Sequence, residues 1–206
     1  MAVFITFEGV DGAGKGTQLR LLLEYLQEKD IDFIATREPG GTELAERIRE
    51  IVLDPAHKGM SVITEALLFA AGRADHVATV IRPALEAGRT VICDRFVDSS
   101  IAYQACVGGL PQEFVVAINE MATGGLKPHR TIMLDIPPEV ARARRGVNGP
   151  DRIEQKDEWY YEQVREGYLE RAKAEPRRFK VVDASGSVES VQAQVRKLVD
   201  EVLPRR

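Results

Sequence analysis

The sequence predicts a three-layer α/β fold, in which a mostly parallel sheet of about five strands carries helices on both faces. Short apolar runs alternate with longer segments of helical period, and this order is typical of parallel sheets. The apolar runs are partly β-branched, as expected of strands that helices cover on both faces. A glycine-rich turn joins the first run to a helical stripe, which also favours this class of fold.

The predicted strands and helices follow in order along the chain. Strands are expected at residues 2–7, 31–36, 90–93, 131–134 and 180–182. Apolar residues at helical spacing are expected to pack in the core, in three groups: Leu19, Leu22, Leu23 and Leu26; Leu44, Ile48, Ile51 and Val52; and Val188, Val191, Val195, Leu198, Val199 and Val202. Pro83 is expected to interrupt the long helical stretch over residues 62–87, because proline lacks an N–H donor.

Composition predicts a single domain, residues 1–206, with neither a nucleic-acid nor a membrane partner. Apolar residues make up 44% of the 206 residues, and no Gly/Ser-rich linker divides the chain. The net charge is −4, and no long basic run is present. No apolar run approaches the roughly 18 residues that cross a bilayer. The two cysteines lack the spacing of a disulfide framework or a zinc site, which favours a reducing, cytoplasmic location.

A phosphate-binding loop follows the first predicted strand. The sequence GVDGAGKGT contains the pattern G-x-x-x-x-G-K and leads directly into a helical stripe. Glycines allow consecutive N–H groups to turn toward a phosphate, while Lys15 and the helix N-terminus add positive charge. The fold is therefore expected to be that of a P-loop NTPase. The nucleotide-binding residues are Gly9, Val10, Asp11, Gly12, Ala13, Gly14, Lys15, Gly16 and Thr17.

The loop also indicates Mg²⁺, although its metal ligands are left open by the sequence. Gly16 stands where P-loops usually carry the Ser or Thr that binds the metal, and Thr17 comes one residue later. Asp94 ends an apolar strand, in the pattern by which P-loop enzymes hold Mg²⁺ or its waters. Asp135 has the same local pattern. Thr17 and Asp94 are the predicted metal ligands, with Asp135 as the alternative to Asp94.

Six spaced segments resemble those of bacterial thymidylate kinases, and the resemblance runs from Phe4 to about Leu203. The segments are residues 7–15, 36–42, 67–73, 94–95, 102–104 and 151–154. The resemblance implies a homodimeric enzyme that transfers the terminal phosphoryl group of ATP to thymidine monophosphate (dTMP). An acceptor that is itself a phosphate dianion needs no general base, so positioning and neutralisation of charge would suffice.

The resemblance also implies roles for individual residues in the acceptor site. Phe69 and Arg73 lie four residues apart on one helix face, where they would stack on the thymine and bond its carbonyl edge. Arg95 and Arg37 would bind the acceptor phosphate, and Asp11 would approach its sugar and phosphate. The residues that would line the deoxyribose and base pocket are Ser100, Tyr103 and Gln104.

An arginine-rich segment, about residues 139–153, resembles the lid that closes over ATP in this family. Gly12 stands where some thymidylate kinases carry a catalytic arginine, and members without it supply an arginine from the lid. The candidates are Arg142, Arg144, Arg145 and Arg152. Together with Lys15, Asp11 and Arg95, they form the predicted catalytic set.

Three alternatives remain at this stage. Another nucleoside monophosphate kinase would share the mechanism, but it would lack the combination of Phe69 and Arg73. A deoxynucleoside kinase would have to deprotonate a hydroxyl, and that family typically carries Glu-Arg where this chain has Asp94-Arg95. A P-loop switch ATPase would hydrolyse its nucleotide without an acceptor. The guanine-specific pattern N-K-x-D is missing from the sequence, and the D-x-x-G match at residues 183–186 follows the last strand.

Overall fold

The fold was obtained as a computed structural model, which describes residues 2–144 and 151–204. Five parallel strands form one sheet in the order β2-β3-β1-β4-β5. Their bounds are β1 Phe4–Glu8, β2 Phe33–Arg37, β3 Thr90–Asp94, β4 Arg130–Asp135 and β5 Phe179–Asp183. The strands agree with the predicted ones to within two residues at their ends, so the predicted fold class is confirmed.

Nine α-helices occur in the described residues. They are α1 Lys15–Glu28, α2 Glu43–Leu53, α3 Val62–His76, α4 Arg82–Glu86, α5 Val97–Ser100, α6 Gln112–Thr123, α7 Pro138–Arg144, α8 Glu158–Ala174 and α9 Val188–Asp200. A π-helical segment, Val77–Ile81, joins α3 to α4 and ends just before Pro83. The interruption expected there therefore takes the form of a widened helical turn. None of the described helices is long and apolar enough to cross a membrane.

The core lies on both faces of the sheet because side chains of β1 alternate between them. Ile5 and Phe7 pack in the larger cluster with Leu22 of α1. Phe4 points to the other face, where it contacts a second cluster that includes Ile81. Strand β1 is fully buried, and β3 and β4 are buried except at their final aspartates, whereas the edge strands β2 and β5 are only partly buried.

One predicted core stripe is only half buried. In α2, Ile48 and Val52 are buried, but Leu44 and Ile51 are 53% and 44% exposed. The prediction that all four pack in the core is therefore wrong. Helical spacing identifies an apolar face, but it does not show how much of that face the rest of the chain covers. Val188 of α9 is also exposed, for the same reason.

Candidate active site

The loop between β1 and α1 leaves the first turn of α1 open to an anion. Gly14 precedes the helix with a φ of 91°, and within the described chain no side chain caps this N-terminus. By contrast, α2, α3, α8 and α9 each have a Thr, Ser or Asp side chain that accepts a bond from a first-turn N–H. The free N–H groups of α1 and its dipole can therefore bind phosphate.

Lys15 lies across this loop. Its Nζ donates to the carbonyl oxygens of Gly9 and Val10, at 2.9 and 3.2 Å, and lies 3.9 Å from Asp11 Oδ1. Burial, together with the charge of Arg95, lowers the pKa of Lys15. The ammonium group is thus held by the same loop that would surround the phosphates.

Helix α7 packs directly on the phosphate loop at Gly12. The φ of Gly12 is 89°, and a Cβ at this position would lie 2.0 Å from the carbonyl oxygen of Ala141. A larger residue would therefore be strained in its own backbone and would clash with the main chain of α7. An arginine side chain at position 12 would therefore have no room beside α7.

Two cavities meet beside the loop. The phosphate-loop cavity, about 730 Å³, is lined by residues 11–18, Asp94, Arg144 and the segment before α9. The acceptor cavity, about 100 Å³, lies between α3, the end of β3 and the π-helical segment Ile101–Val107. Four residues line both cavities: Asp11, Glu38, Arg49 and Arg95. Groups bound in the two cavities would therefore meet between these side chains.

Arg95 lies at this junction in an unusual backbone conformation. Its φ of 70° falls in the left-handed region, which residues other than glycine seldom adopt. Its Nη2 donates to Asp11 Oδ1 at 2.7 Å, and its guanidinium lies over the ring of Tyr103, 5.4 Å from the centroid. The strained turn after β3 thus brings a guanidinium to the carboxyl edge of the sheet, where ligands commonly bind in open parallel sheets.

A buried carboxylate supports the turn at Arg95. Glu8, the last residue of β1, accepts bonds from the N–H of Phe96 at 2.8 Å and from the hydroxyls of Ser99 and Tyr168. Burial, followed by the charge of Asp98, raises the pKa of Glu8 from 4.5 to about 7. Glu8, Ser99 and Tyr168 were not predicted as site residues. An acidic residue at the end of an apolar strand was the available signal for Glu8.

The acceptor cavity contains the predicted base-binding residues. Phe69 and Arg73 both line it, as do Ser100, Tyr103 and Gln104. Arg73 is buried and donates to Glu38, Ser100, Asn119 and the carbonyl oxygen of Phe96. These contacts use four of its five N–H groups, and within the described residues one Nη2 hydrogen has no partner. Arg73 therefore also holds together the wall of the cavity.

The tyrosine of this cavity carries a buried hydroxyl. Burial raises the pKa of Tyr103, so the phenol stays protonated near neutral pH. Among the residues that the structure describes, its hydroxyl has no hydrogen-bond partner. Buried hydroxyls normally have one, so this group is suited to bind a ligand.

Two further arginines lie near the loop: Arg37, which was predicted as a site residue, and Arg49, which was not. Arg37 was expected to bind the acceptor phosphate; it is 53% exposed, pairs with Glu46 and lines the phosphate-loop cavity but not the acceptor cavity. Arg49 of α2 lines both cavities and donates to the carbonyl oxygen of Pro39. Its position depends on how α2 packs, for which the local sequence carried no signal.

The four lid arginines differ in position. Arg144 lines the phosphate-loop cavity and donates to the carbonyl oxygen of Ala184. Arg142 is 75% exposed and points toward Glu158, at 3.9 Å. Arg145 lies outside the described residues. Arg152 is buried, bonds Glu65 and the carbonyl oxygen of Val52, and lines neither cavity. The expectation that Arg152 is catalytic is therefore corrected: its guanidinium is held within the protein.

Thr17 and Asp94 are suited to bind a magnesium ion whose remaining ligands are nucleotide phosphates and water. Asp94 and Thr17 line the same cavity, and Asp94 Oδ1 is buried without a partner in the described part of the chain. Asp135 instead forms a two-pronged ion pair with Arg165, at 2.6 and 2.8 Å. No group of three or more His, Cys, Asp or Glu residues in the described chain could hold a metal. An ion at Asp94 would thus depend on phosphate oxygens and water, as Mg²⁺ commonly does.

These features define a class: a P-loop phosphotransferase whose acceptor cavity adjoins its phosphate loop. The family model for thymidylate kinase matches residues 7–195. The thymidylate kinase of Symbiobacterium thermophilum is 66% identical over 206 residues, which cover 100% of this chain and 96% of the relative. That of Pseudomonas syringae pv. tomato is 47% identical over 202 residues, covering 98% and 96%.

A solved structure supports the same assignment. The crystal structure of thymidylate kinase from Ehrlichia chaffeensis is similar with a TM-score of 0.77 and 34% identity, covering 96% of this chain and 98% of that one. The chain belongs to the thymidylate kinase family. The predicted family and enzyme class are confirmed, and membership implies ATP-dependent phosphorylation of dTMP.

Proposed function

We propose that this chain transfers the γ-phosphoryl group of ATP to dTMP, yielding ADP and thymidine diphosphate for deoxynucleotide biosynthesis. The observation that carries the proposal is the junction of the two cavities at Asp11, Glu38, Arg49 and Arg95. Nucleotides bound on either side would place their phosphates against one pair of guanidinium groups. Such an arrangement suits transfer between two phosphates, where binding and orientation account for most of the catalysis.

On the donor side, the N–H groups of the loop and Lys15 would bind the ATP phosphates. Thr17 and Asp94 would hold Mg²⁺, which when bound neutralises charge on the phosphate oxygens. Arg144 is the described lid residue placed to approach the transferred group. A guanidinium in this role contributes about 10³ to 10⁵ in rate in related phosphoryl transfers. Closure of the lid would exclude water and suppress hydrolysis of ATP.

On the acceptor side, Arg95 and Arg49 would bind the phosphate of dTMP, and no general base is required. Phe69 would stack on the thymine, and the free Nη2 hydrogen of Arg73 would bond a carbonyl oxygen of the base. Tyr103 would pack under the sugar and disfavour a 2′-hydroxyl. Burial of these side chains strengthens the preference, because a poorly matched ligand leaves polar groups unpaired.

We also infer that the enzyme works as a cytoplasmic homodimer. The resemblance to the family implies a second copy of the chain, and helices α2, α3 and α6 offer it an apolar surface. These three helices pack side by side and expose Leu44, Ile51, Ile63, Leu67 and Met121. Exposed apolar side chains on adjoining helices are typical of such interfaces. Sedimentation equilibrium at micromolar concentration tests this inference, and a monomer would refute it.

The activity is tested by ADP release from ATP and Mg²⁺ with each common nucleoside monophosphate in turn. Thymidine and a reaction without acceptor are the controls. A marked preference for dTMP is expected. Release of ADP without acceptor would instead identify a switch ATPase, and a preference for thymidine would identify a deoxynucleoside kinase.

A further inference from the structure

A buried carboxylate determines which way the amide of Gln104 faces. Glu65 lies in α3 and is 8% exposed. Its Oε1 accepts a hydrogen bond from Gln104 Nε2 at 2.8 Å, and its Oε2 accepts one from Arg152. Arg152 is itself fixed, because its Nε and its backbone N–H donate to the carbonyl oxygens of Val52 and Leu53.

This arrangement leaves one orientation for the amide. A carboxylate paired with a guanidinium only accepts hydrogen bonds, so Gln104 must turn its NH₂ toward Glu65. If the amide were reversed, its oxygen would face a carboxylate oxygen, which is repulsive. The opposite end of the amide, Oε1, is then an acceptor, and it is buried without a partner among the described residues.

The unpartnered oxygen belongs to the acceptor cavity, whose wall Gln104 forms. Because buried acceptors are almost always bonded, a ligand N–H is the natural partner. The cavity also holds Phe69, suited to stack on a base, and one free hydrogen of Arg73, suited to a carbonyl oxygen. A donor and an acceptor that line one cavity match a base edge that offers C=O next to N–H.

We propose that Glu65 is a positioning residue for base selectivity: it locks Gln104 as a hydrogen-bond acceptor, so that the cavity selects pyrimidines with an imide N–H. Thymine and uracil have this group, whereas the matching ring nitrogen of cytosine is an acceptor and would face Gln104 Oε1 unfavourably. The inference rests on the proposed function, since it assumes that a nucleoside monophosphate binds in the acceptor cavity. In this proposal, Arg152 holds Glu65 in place and takes no part in catalysis.

The test is the Glu65→Gln variant of the full chain, assayed with dTMP and with deoxycytidine monophosphate (dCMP). A neutral amide at position 65 can accept or donate, so Gln104 is free to reverse and to donate to the cytosine ring. The ratio of kcat/KM for dTMP over dCMP is expected to fall roughly tenfold or more. The KM for ATP is expected to stay unchanged. Glu162→Gln, an exposed change on α8, is the matched control and should leave the ratio unaltered.

The outcomes separate this inference from the proposed function. If the unmodified enzyme shows no preference for dTMP, the proposed function fails. If it prefers dTMP and Glu65→Gln lowers activity with both acceptors equally, Glu65 is only structural and the inference is overturned. Gln104→Leu supplies a second readout that keeps the Glu65–Arg152 ion pair. This variant should lower kcat/KM for dTMP more than for dCMP, and an equal loss for both acceptors would likewise overturn the inference.

Discussion

The difference in unfolding free energy between the Glu8→Gln variant and the unmodified protein is expected to shift in favour of the variant as the pH rises. Glu8 is completely buried beneath the Arg95 turn, and burial raises its pKa from 4.5 to about 7. Between these two pH values, the folded protein keeps a proton that the unfolded chain has lost. The free energy of unfolding therefore falls as the pH rises from about 4.5 to about 7, and this contribution is constant above that range.

The magnitude follows from the pKa. One pKa unit corresponds to about 1.4 kcal/mol, so complete ionisation of Glu8 costs the folded state roughly 3 kcal/mol. About 2 kcal/mol of this loss falls between pH 5.5 and pH 8.5. Glutamine has nearly the same shape and does not titrate. Its lost or altered hydrogen bonds change stability by an amount that does not depend on pH in this range.

The assay is urea unfolding followed by far-ultraviolet circular dichroism, at pH 5.5 and pH 8.5. The difference in unfolding free energy, Glu8→Gln minus unmodified protein, should be about 2 kcal/mol more favourable at the higher pH. Glu162→Gln, at an exposed position of α8, is the matched control and should show no such change. If the Glu8→Gln difference is the same at both pH values, Glu8 is not held protonated by burial, and the reasoning fails.

Three further changes test the acceptor site and the core. Arg95→Ala should raise the KM for dTMP roughly 10- to 100-fold through loss of a charged contact, with little change in the KM for ATP; equal effects on both would remove Arg95 from the acceptor site. Phe69→Ala should cost roughly tenfold in dTMP affinity and blunt discrimination among bases, and an unchanged ranking of acceptors would contradict stacking. Asp98→Asn should lower the unfolding free energy in urea by about 3 to 5 kcal/mol, because Arg171 and Arg178 lose their buried carboxylate. A loss below about 1 kcal/mol would show that the arginines find other partners.

The sequence predicts those parts of the molecule that depend on local chemistry. The alternation of strands and helices and the loop around Lys15 are encoded in consecutive residues, and both are found as expected. Arg152 could not be placed in this way. Its burial depends on Glu65, which is far away in the sequence. The composition of an arginine-rich segment does not show whether its side chains face solvent, ligand or core.

Other site features depend equally on tertiary packing. Glu8 ends an apolar strand, but only the approach of Phe96, Ser99 and Tyr168 turns it into the support of the Arg95 turn. The exposure of Leu44 in α2 follows from what the rest of the chain leaves uncovered, which helical spacing does not report.

The contact between Gly12 and the main chain of Ala141 links two segments that are distant in the sequence. Neither can change freely, because any side chain at position 12 needs the space that α7 occupies. Among aligned relatives, we expect the two to covary: glycine at this position should accompany a helix packed on the loop with an arginine at its end, as with Arg144 here. A large residue there should accompany a displaced or shortened helix. Each relative would then neutralise the transition-state charge with a single arginine, supplied either by the phosphate loop or by the end of α7.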